Sequence, residues 1–476
     1  MKTAKGGQTI GAARKVPAHT AQGFKDLGSK GAGGKSQQRS RSVEGAAARD
    51  AAVESISAVL KDGRAFDDAL AKSSKRHDLQ PRDRAFARAL ASAALRNRGA
   101  LQAVIARFIE KPLPHGAGRL EAILLSGAAQ LLVLATPPHA AISLAVDQAR
   151  ADPRARRFDK LTNAVLRRVS EQGAEILKGL DTVRLNVPGW MFERWRKAYG
   201  EPVALEIARA SLQEAPLDLN VKSDAAGWAE KLGGTVLSTG SIRLNAGGKI
   251  EDLAGFAEGA WWVQDAAAAL PVKILGNVAG LDVADLCAAP GGKTAQLAAL
   301  GARVAAVDQS EERLARLSAN LTRLGLTAEI FAADVTKWTP GRLFDAVLVD
   351  APCTATGTIR RHPDILYLKR AADIGQLAVV QADILAAAAR LVRPGGRMVY
   401  CTCSLEPEEG PDQVETFLAR HLDFARERID VARIGGEQGF VTQKGELRTL
   451  PHFWAGLAPG QQGMDGFYAA LMVRKS

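Results

Sequence analysis

Two patterns of apolar and polar positions follow one another along the chain. From about residue 44 to residue 180, apolar residues recur every three or four positions, as Val53, Ile56 and Leu60 do. This spacing is typical of amphipathic helices, and no alternating strand pattern interrupts it. We therefore expect an all-α domain over residues 44–180. The six helices predicted within it run from about Gly45 to just before Gly63, Pro81 to Arg96, Leu101 to Ile109, Leu120 to Leu134, Ala140 to Ala151 and Phe158 to Gln172.

From about residue 261, apolar runs that are typical of buried strands alternate with helical segments. The strands are predicted at Leu281–Leu286, Arg303–Asp308, Ala328–Ala332, Phe344–Asp350 and Met398–Cys403. This alternation predicts a parallel sheet with helices on both faces, an α/β domain over residues 261–476. Ligands of such sheets bind at the carboxyl ends of the strands.

The residues between these two patterns have mixed features. Leu217–Val221 and Ile242–Leu244 are typical of short strands, whereas Trp190 and Trp195 accompany a short helix. We therefore expect a small α+β connecting module over residues 181–260.

The first 43 residues have a different composition from the rest of the chain. They hold nine basic residues and one acid, a charge of +8 out of the net +12 of the whole chain. With few large apolar residues, this segment is expected to be disordered. The sequence leaves open whether it is an RNA-binding arm or a solubilising tail. The net charge and the pI of about 9.6 favour a polyanionic partner.

The usage of cysteine and of apolar runs indicates where the protein works. Only four cysteines occur, all in the last part of the chain, whereas secreted disulfide scaffolds are shorter and richer in cysteine. No signal-peptide core is recognisable, and no run approaches the roughly 20 apolar residues of a membrane span. We expect a cytoplasmic protein with reduced thiols and no membrane association.

A glycine-rich turn lies between the first predicted strand of the α/β domain and the helix that follows. It comprises Asp285 to Thr294, with two consecutive glycines, Gly291 and Gly292. Glycines allow close approach of a ligand, and a helix N-terminus offers free N–H groups. Gly-Gly-Lys-Thr is similar to a phosphate-binding loop, but position 287 is Cys where such a loop needs Gly. An NTPase is therefore not expected.

Acidic residues also end the next two strand regions. Asp308 could accept hydrogen bonds from a ribose diol, and Asp334 from an adenine amino group. Each acid alone is more simply explained as a helix cap. Together with Asp285 beside a glycine turn, they favour a cofactor that carries adenosine.

Thiols follow two further strands of the predicted sheet. Asp350-Ala-Pro-Cys353 ends one strand, and Cys401-Thr-Cys403 ends another. A thiolate that adds to carbon 6 of cytosine activates carbon 5 for methylation, which is covalent catalysis. Cys401 and Cys403 share one face of their strand, so spacing does not choose between them, although Cys403 lies at the strand exit. Cys287 is interpreted as a small buried side chain, and a zinc site is not expected.

These motifs resemble the Sun/Fmu (RsmB-like) family of bacterial 16S ribosomal RNA cytosine-5 methyltransferases, within the NOL1/NOP2/Sun superfamily. The catalytic segments that carry the resemblance are DLCAAPGGKTAQLA, AVDQS, FDAVLVDAPCTATGTIRRHPDI, LVRPGGRMVYCTCSLEPEEG and DGFYAALMVRK. GFAEGAWWVQDAAA is similar to the segment that precedes the family's cofactor domain. DRAFARAL and LTNAVLRRV resemble a NusB-type helical domain. The resemblance implies a NusB-like RNA-binding domain and a class I, Rossmann-like methyltransferase domain.

The resemblance also implies roles for individual residues and for partners. The cofactor would be S-adenosyl-L-methionine, its methionine end held by Cys287, Ala288, Ala289, Pro290, Gly291, Gly292 and Lys293. Asp308 would bind the ribose, Asp334 the adenine, and Asp350 would lie beside both the cofactor and the reacting groups. Cys403 would be the nucleophile and Cys353 would assist release. Cytosine-5 enzymes of DNA attack with the Pro-Cys thiol, so the presence of both motifs favours RNA over DNA.

The expected protein is thus a monomeric methyltransferase of 16S ribosomal RNA. Two other interpretations remain open at this point. The substrate could be transfer RNA or another RNA, since nothing in the catalytic motifs excludes it. The chain could also be a non-catalytic, NusB-like RNA-binding factor, although every expected acid and both thiols are present. Cys401 departs from the residue that many relatives have at this position.

Overall fold

The computed structural model describes residues 34–114, 116–244 and 249–476, with side chains from residue 45 onwards. Most of the predicted basic tail, residues 1–33, lies outside the described residues. The first helix, α1, spans Gly34–Asp62 and thus begins inside the range that was predicted to be the tail. Gly45–Ser476 form one compact unit, and the description that follows concerns this unit.

Seven helices build the N-terminal domain. They are α1, α2 (Phe66–Arg76), α3 (Pro81–Arg96), α4 (Arg98–Ala106), α5 (Leu120–Leu132), α6 (Pro138–Ala151) and α7 (Asp159–Lys178). The first predicted helix corresponds to α1, and the other five correspond closely to α3–α7. The predicted number of helices was wrong because α2 was missed. Its buried face includes Ser73 and Ser74, so the helical repeat of large apolar residues is weak there.

The connecting region begins with helices and ends in a small antiparallel sheet. Its helices are α8 (Thr182–Asn186), α9 (Gly189–Tyr199), α10 (Glu201–Ser211) and α11 (Ala225–Leu232); its strands are β1 (Leu217–Val221), β2 (Thr235–Val236), β3 (Ile242–Leu244) and β4 (Trp261–Val263). The strand order is β2-β3-β1-β4. The two predicted strands are confirmed as β1 and β3. The module extends beyond the predicted boundary at residue 260, because β4 pairs with β1.

A buried arginine, Arg243, forms an ion pair within this small sheet and also binds the C-terminal part of the chain. Arg243 Nε and Nη2 each donate to the Asp218 carboxylate at 2.7 Å, and neither side chain is exposed. Arg243 Nη1 also donates to the carbonyl oxygens of Gln461 and Gly463, at 2.6 and 2.7 Å. All of these contacts satisfy a charge that would be costly to bury alone.

The C-terminal domain contains the large sheet. Its strands are β5 (Asp282–Leu286), β6 (Arg303–Asp308), β7 (Glu329–Ala332), β8 (Phe344–Asp350), β9 (Val392–Thr402), β10 (Phe424–Glu427), β11 (Leu447–Thr449) and β12 (Phe467–Arg474). Its helices are α12 (Leu270–Leu275), α13 (Gly292–Ala299), α14 (Glu311–Leu324), α15 (Ile365–Leu368), α16 (Ala371–Leu391) and α17 (Pro411–Arg420). The sheet order is β10-β12-β9-β8-β5-β6-β7, with β11 beside β12.

The large sheet is mixed, which corrects the prediction of a parallel sheet. Strands β9, β8, β5, β6 and β7 are parallel, as expected. Strand β12 is antiparallel to β9, β10 and β11. No α-helix separates β10, β11 and β12, so this segment of the chain lacks the helical crossovers with which parallel pairing is usually made.

One helix among the described residues, α16, is long and apolar enough to cross a membrane by length and composition. It includes Asp373 and Asp383. Its side chains Ile384 and Leu385 are buried in the core of the large sheet, so α16 packs as a core helix of this domain.

The loop that follows β8 contacts the N-terminal helices. The amide of Phe66, at the start of α2, donates to Asp364 Oδ2 at 2.9 Å. The hydroxyl of Tyr367 donates to the carbonyl oxygen of Leu95 at 2.5 Å, and Arg96 Nη2 donates to the carbonyl oxygen of Arg360 at 3.0 Å. The helical domain is therefore hydrogen-bonded to the segment of chain that follows Cys353.

We predict that Asp218→Asn destabilises the protein by about 3 kcal/mol, because it leaves the buried charge of Arg243 without its carboxylate. Asp252→Asn is the matched control, since Asp252 pairs with Lys249 at an exposed position of the same module. It should change the free energy of unfolding by less than about 0.5 kcal/mol. Denaturant unfolding of both variants checks this, and equal effects would contradict it.

Candidate active site

The carboxyl ends of the parallel strands bring most of the predicted site residues together. Cys287 follows β5, Asp308 ends β6, Asp350 ends β8, and Cys401 lies at the end of β9. In the pairing of β8 with β9, Asp350 stands directly opposite Cys401. Residues more than 50 positions apart in sequence thus share one edge of the sheet.

The glycine turn after β5 has the backbone that its sequence predicts. Gly291 has a φ of 104°, and α13 begins at the next residue. A Cβ atom at Gly291 would lie 2.7 Å from Leu317 Cγ, so both the conformation and the packing require glycine. The N-terminus of α13 therefore opens directly onto the turn and presents its first N–H groups there.

Two buried acids accept hydrogen bonds from residues of this turn. Asp308 is buried; its Oδ2 accepts from the amide of Ala289 at 3.2 Å, and its Oδ1 accepts from the amide of Ser310 at 3.0 Å. Asp285 is fully buried, and its Oδ2 accepts from the Thr294 hydroxyl at 2.6 Å. Burial raises the pKa of Asp285 to about 7. Its Oδ1 is also buried and has no hydrogen-bond partner among the described residues.

The Asp334 carboxylate makes its contacts within its own turn, although the amide of the preceding Ala333 donates to the carbonyl oxygen of Asp308 at 3.0 Å. Asp334 follows β7 in a turn, where its Oδ1 accepts from the amide and the hydroxyl of Thr336 and its Oδ2 lies 3.3 Å from Lys337 Nζ. Among the described residues, no hydrogen bond or ion pair joins Asp334 to the glycine turn. Its carboxylate already caps its own turn, which was the simpler explanation of this acid, and its contact with adenine stays a prediction.

Lys293 reaches from the glycine turn to the end of β8. Its Nζ lies 2.7 Å from Asp350 Oδ2, and the lysine side chain is largely buried. Burial is the largest single effect and lowers the pKa of Lys293, but Asp350 and the other negative groups nearby together outweigh it, so the pKa of Lys293 is raised. The other oxygen of Asp350 lies 3.6 Å from Cys401 Sγ. This ion pair connects the predicted cofactor turn with the predicted reaction centre.

The four thiols have different surroundings. The Sγ atoms of Cys353 and Cys403 lie 3.5 Å apart, and both residues are partly exposed. Cys401 is fully buried, and burial together with the charge of Asp350 raises its pKa well above the ordinary range. Burial likewise raises the pKa of Cys287 to about 12. Of the two thiols that the strand spacing could not separate, only Cys403 is accessible and paired with Cys353.

The hydrogen bond with Cys403, followed by burial, raises the pKa of Cys353 well above that of a free thiol. Cys353 therefore keeps its proton at neutral pH. Either sulfur can be the donor of the hydrogen bond between the two thiols.

Sequence reasoning missed two features of this site. It assigned Lys293 to the turn without its partner Asp350, because only the sheet order makes these residues neighbours. It also missed the buried Glu409, which contacts the loops of both thiols. The only signal for Glu409 was its place shortly after Cys403 in the motif Glu-Pro-Glu-Glu-Gly.

Comparison with known proteins identifies the family. Residues 273–473 match the family described as 16S rRNA methyltransferase RsmB/F, and residues 46–171 match the NusB family. The protein named ribosomal RNA small subunit methyltransferase B of Xanthomonas campestris pv. campestris is 35% identical over 449 residues, 91% of this chain and 98% of that protein. The chain belongs to the RsmB family. It is therefore an RNA methyltransferase that uses S-adenosyl-L-methionine, as the motifs predicted.

Solved structures share the fold. The structure of the protein PH0851 superposes with a TM-score of 0.70 at 24% identity, over 90% of this chain and 98% of that chain. A methyltransferase homologue from Pyrococcus horikoshii has a TM-score of 0.51 at 26% identity, over 61% of this chain and 97% of that chain. The predicted combination of a NusB-like helical domain with a Rossmann-like methyltransferase domain is confirmed.

We predict that Gly291→Ala lowers stability by about 1–3 kcal/mol, because alanine is strained at a φ of 104° and its Cβ meets Leu317. Gly292→Ala is the matched control. Its Cβ would meet Gln264 only at 3.6 Å or more, so the change should stay within about 0.5 kcal/mol. Thermal and denaturant unfolding of the two variants measure this difference. A Gly291→Ala enzyme as stable as Gly292→Ala would contradict it.

Proposed function

We propose that this enzyme methylates carbon 5 of one cytosine in 16S ribosomal RNA through a covalent bond between Cys403 and carbon 6. The observation that carries the proposal is the pair of partly exposed thiols 3.5 Å apart, Cys353 and Cys403, in the segments that follow β8 and β9. Asp350, which ends β8, forms the ion pair with Lys293. A site that methylates an oxygen or an amine needs no such thiols.

The residues around the glycine turn fit S-adenosyl-L-methionine, which supplies a methyl group from its sulfonium. Residues Cys287 to Lys293 would surround its methionine end, where the unpaired Oδ1 of Asp285 could accept from the ammonium group. Asp308 would hold the ribose diol and Asp334 the adenine. Asp350 would lie at the border between cofactor and base. The buried acids around the turn suit a cationic ligand.

The proposed reaction begins at Cys403. Its thiolate adds to carbon 6 of the cytosine, which makes carbon 5 nucleophilic enough to accept the methyl group. Asp350 would hold the proton at the ring nitrogen, and Lys293 would keep Asp350 in position and balance its charge. Cys401 is unsuited to attack, since it is buried and its Sγ points to Asp350.

The adduct must then be resolved. Solvent water takes the proton from carbon 5, and the electrons of that bond restore the double bond between carbons 5 and 6. The bond between Cys403 and carbon 6 breaks at the same time and returns its electron pair to sulfur. Cys353 bears a proton and lies next to this sulfur, so it can donate a hydrogen bond to the departing thiolate. We therefore assign attack to Cys403 and assistance of release to Cys353.

The choice of 16S ribosomal RNA rests on the RsmB/F family and on the NusB-like helical domain. A paired cytosine would have to leave its helix before attack. Naked RNA or an early assembly intermediate is therefore the preferred form of the substrate.

We predict that RNA containing 5-fluorocytosine traps a covalent adduct with the wild-type enzyme and none with Cys403→Ala, because the fluorine at carbon 5 cannot be removed after attack. Cys401→Ala is the matched control, a second thiol on the same strand face, and it should still form the adduct. Denaturing electrophoresis measures the conjugate. An adduct that survives in Cys403→Ala but not in Cys353→Ala would reverse the assignment.

We further predict that Cys353→Ala accumulates an enzyme–RNA conjugate with ordinary RNA, because attack proceeds while release is slow. The conjugate should depend on added S-adenosyl-L-methionine and should vanish in Cys353→Ala/Cys403→Ala. Absence of the conjugate in the single variant would leave Cys353 with a structural role only.

Bisulfite sequencing of ribosomal RNA from a deletion strain tests the substrate. We expect one 5-methylcytosine to disappear from 16S ribosomal RNA, and expression of the wild-type chain, but not of Cys403→Ala, to restore it. An unchanged ribosomal map with a site lost in transfer RNA would contradict the proposed substrate and leave the chemistry intact.

A further inference from the structure

Glu409 lies in the short turn Pro407–Glu409 after the strand of Cys403, and its side chain is completely buried. A carboxylate in such a place needs donors for both of its oxygens. Among the described residues, no lysine or arginine side chain makes an ion pair with it. Its donors belong to Thr354 and Ser404, which are next to the two thiols in sequence, and to Gln381 of α16.

Four donor groups make five hydrogen bonds to the Glu409 carboxylate. The amide of Thr354 donates to Oε1 at 2.9 Å, and the hydroxyl of Thr354 donates to Oε2. The hydroxyl of Ser404 donates to Oε2 at 2.6 Å, and Gln381 Nε2 donates to Oε1 at 3.1 Å. Thr354, Ser404 and Gln381 are buried as well, so water does not compete for these bonds.

These donors come from both sides of the thiol pair. Thr354 directly follows Cys353, and Ser404 directly follows Cys403. Gln381, on α16, also donates to the carbonyl oxygen of Pro352 at 2.9 Å, on the other side of Cys353. One carboxylate therefore joins the two loops that carry the sulfur atoms.

The backbone of Glu409 is itself fixed to β9. Its carbonyl oxygen accepts from the hydroxyl of Tyr400 at 2.8 Å and from the hydroxyl of Thr402 at 3.2 Å. The negative charge of Glu409 also adds to the pKa rise of Cys353, after the larger effects of Cys403 and burial. The carboxylate thus lies on a rigid support and favours the protonated form of Cys353.

We propose that Glu409 is a positioning residue that sets the separation of the Cys353 and Cys403 sulfur atoms. It touches no reacting atom and acts through Thr354 and Ser404. The effect of Glu409 on catalysis rests on the proposed function, since the thiol pair must be correctly spaced for attack and release. The effect of Glu409 on the distance between the thiols can be tested without any RNA.

The spacing of the thiols can be measured with a glutathione redox buffer. Both thiols react with one glutathione disulfide to give the Cys353–Cys403 disulfide and two molecules of glutathione. The equilibrium constant is the effective concentration of one thiol at the other. Mass spectrometry of the full-length protein after digestion identifies this disulfide among the four cysteines. S-adenosylhomocysteine affinity, measured by calorimetry, reports whether each variant keeps its fold.

We predict that Glu409→Gln lowers the effective concentration of the thiol pair by about tenfold or more, because the amide cannot accept from all four donors. The kcat of methyl transfer should fall by about 100-fold with the KM values for RNA and cofactor unchanged. Glu408→Gln is the matched control. Glu408 lies in the same turn but is half-exposed and contacts Arg194, so both quantities should stay at their wild-type values.

Thr354 provides a second pair of variants should Glu409→Gln fold poorly. Thr354→Val removes the hydroxyl that donates to Glu409 and should lower the effective concentration, whereas Thr354→Ser keeps the hydroxyl and should remain close to wild type. Equal effective concentrations in Glu409→Gln and Glu408→Gln, or in Thr354→Val and Thr354→Ser, would overturn the proposal.

Failure of the proposed chemistry has a different signature. If the wild-type enzyme forms no adduct with 5-fluorocytosine RNA, the proposed function fails while the redox measurement still tests Glu409. If adduct formation is normal and Glu409→Gln changes neither the thiol pair nor kcat, only the role of Glu409 is lost.

Discussion

The parallel pairing of β8 with β9 is the constraint on which the active site depends. It places Asp350 opposite Cys401 and carries Cys353 and Cys403 to the same edge of the sheet. Parallel strands end on the same side, so side chains distant in sequence meet there with little loop between them. A shift of this register by one residue would turn Cys403 toward the opposite face. The packing of the sheet thus determines where the reacting side chains lie.

The charged side chains at this edge form two groups. Lys293 and Asp350 pair beside the thiols, where a cofactor and a base would meet. Below them, Asp285 and Asp308 are buried around the glycine turn and hold donors of the turn itself. A buried carboxylate without donors would be unstable, so each acid binds part of the surrounding loop. The site is therefore preorganised by groups that also stabilise the fold.

The helical domain contributes to this arrangement through the loop after β8. Phe66 and Leu95 hold the far end of the loop at Asp364 and Tyr367, whereas Glu409 holds its beginning at Thr354. The loop that carries Cys353 is thus fixed at both ends by different parts of the chain. An RNA that binds to the helical domain would lie on a surface connected to the reaction centre by a short, ordered segment.

The sequence by itself determined the local elements and the chemical types of the site. The period of apolar residues located most helices and strands, because that period reports which face of an element is buried. The glycine turn and the thiols of Cys353 and Cys403 were recognisable from residue type, since few other residues serve those purposes. Helix α2 was missed because serines lie on its buried face. The antiparallel direction of β12 was also missed, because the direction of a strand leaves no mark in composition.

Only the tertiary structure decided which of these groups act together. Strand spacing could not separate Cys401 from Cys403, because alternate residues share one face; burial and the 3.5 Å approach of Cys353 separate them. Lys293 and Asp350 are 57 residues apart, and Glu409 is 55 residues from Thr354. Such contacts depend on sheet order and loop closure, which are properties of the whole chain. For this reason the sequence predicted the groups of the site, and the fold determined their partners.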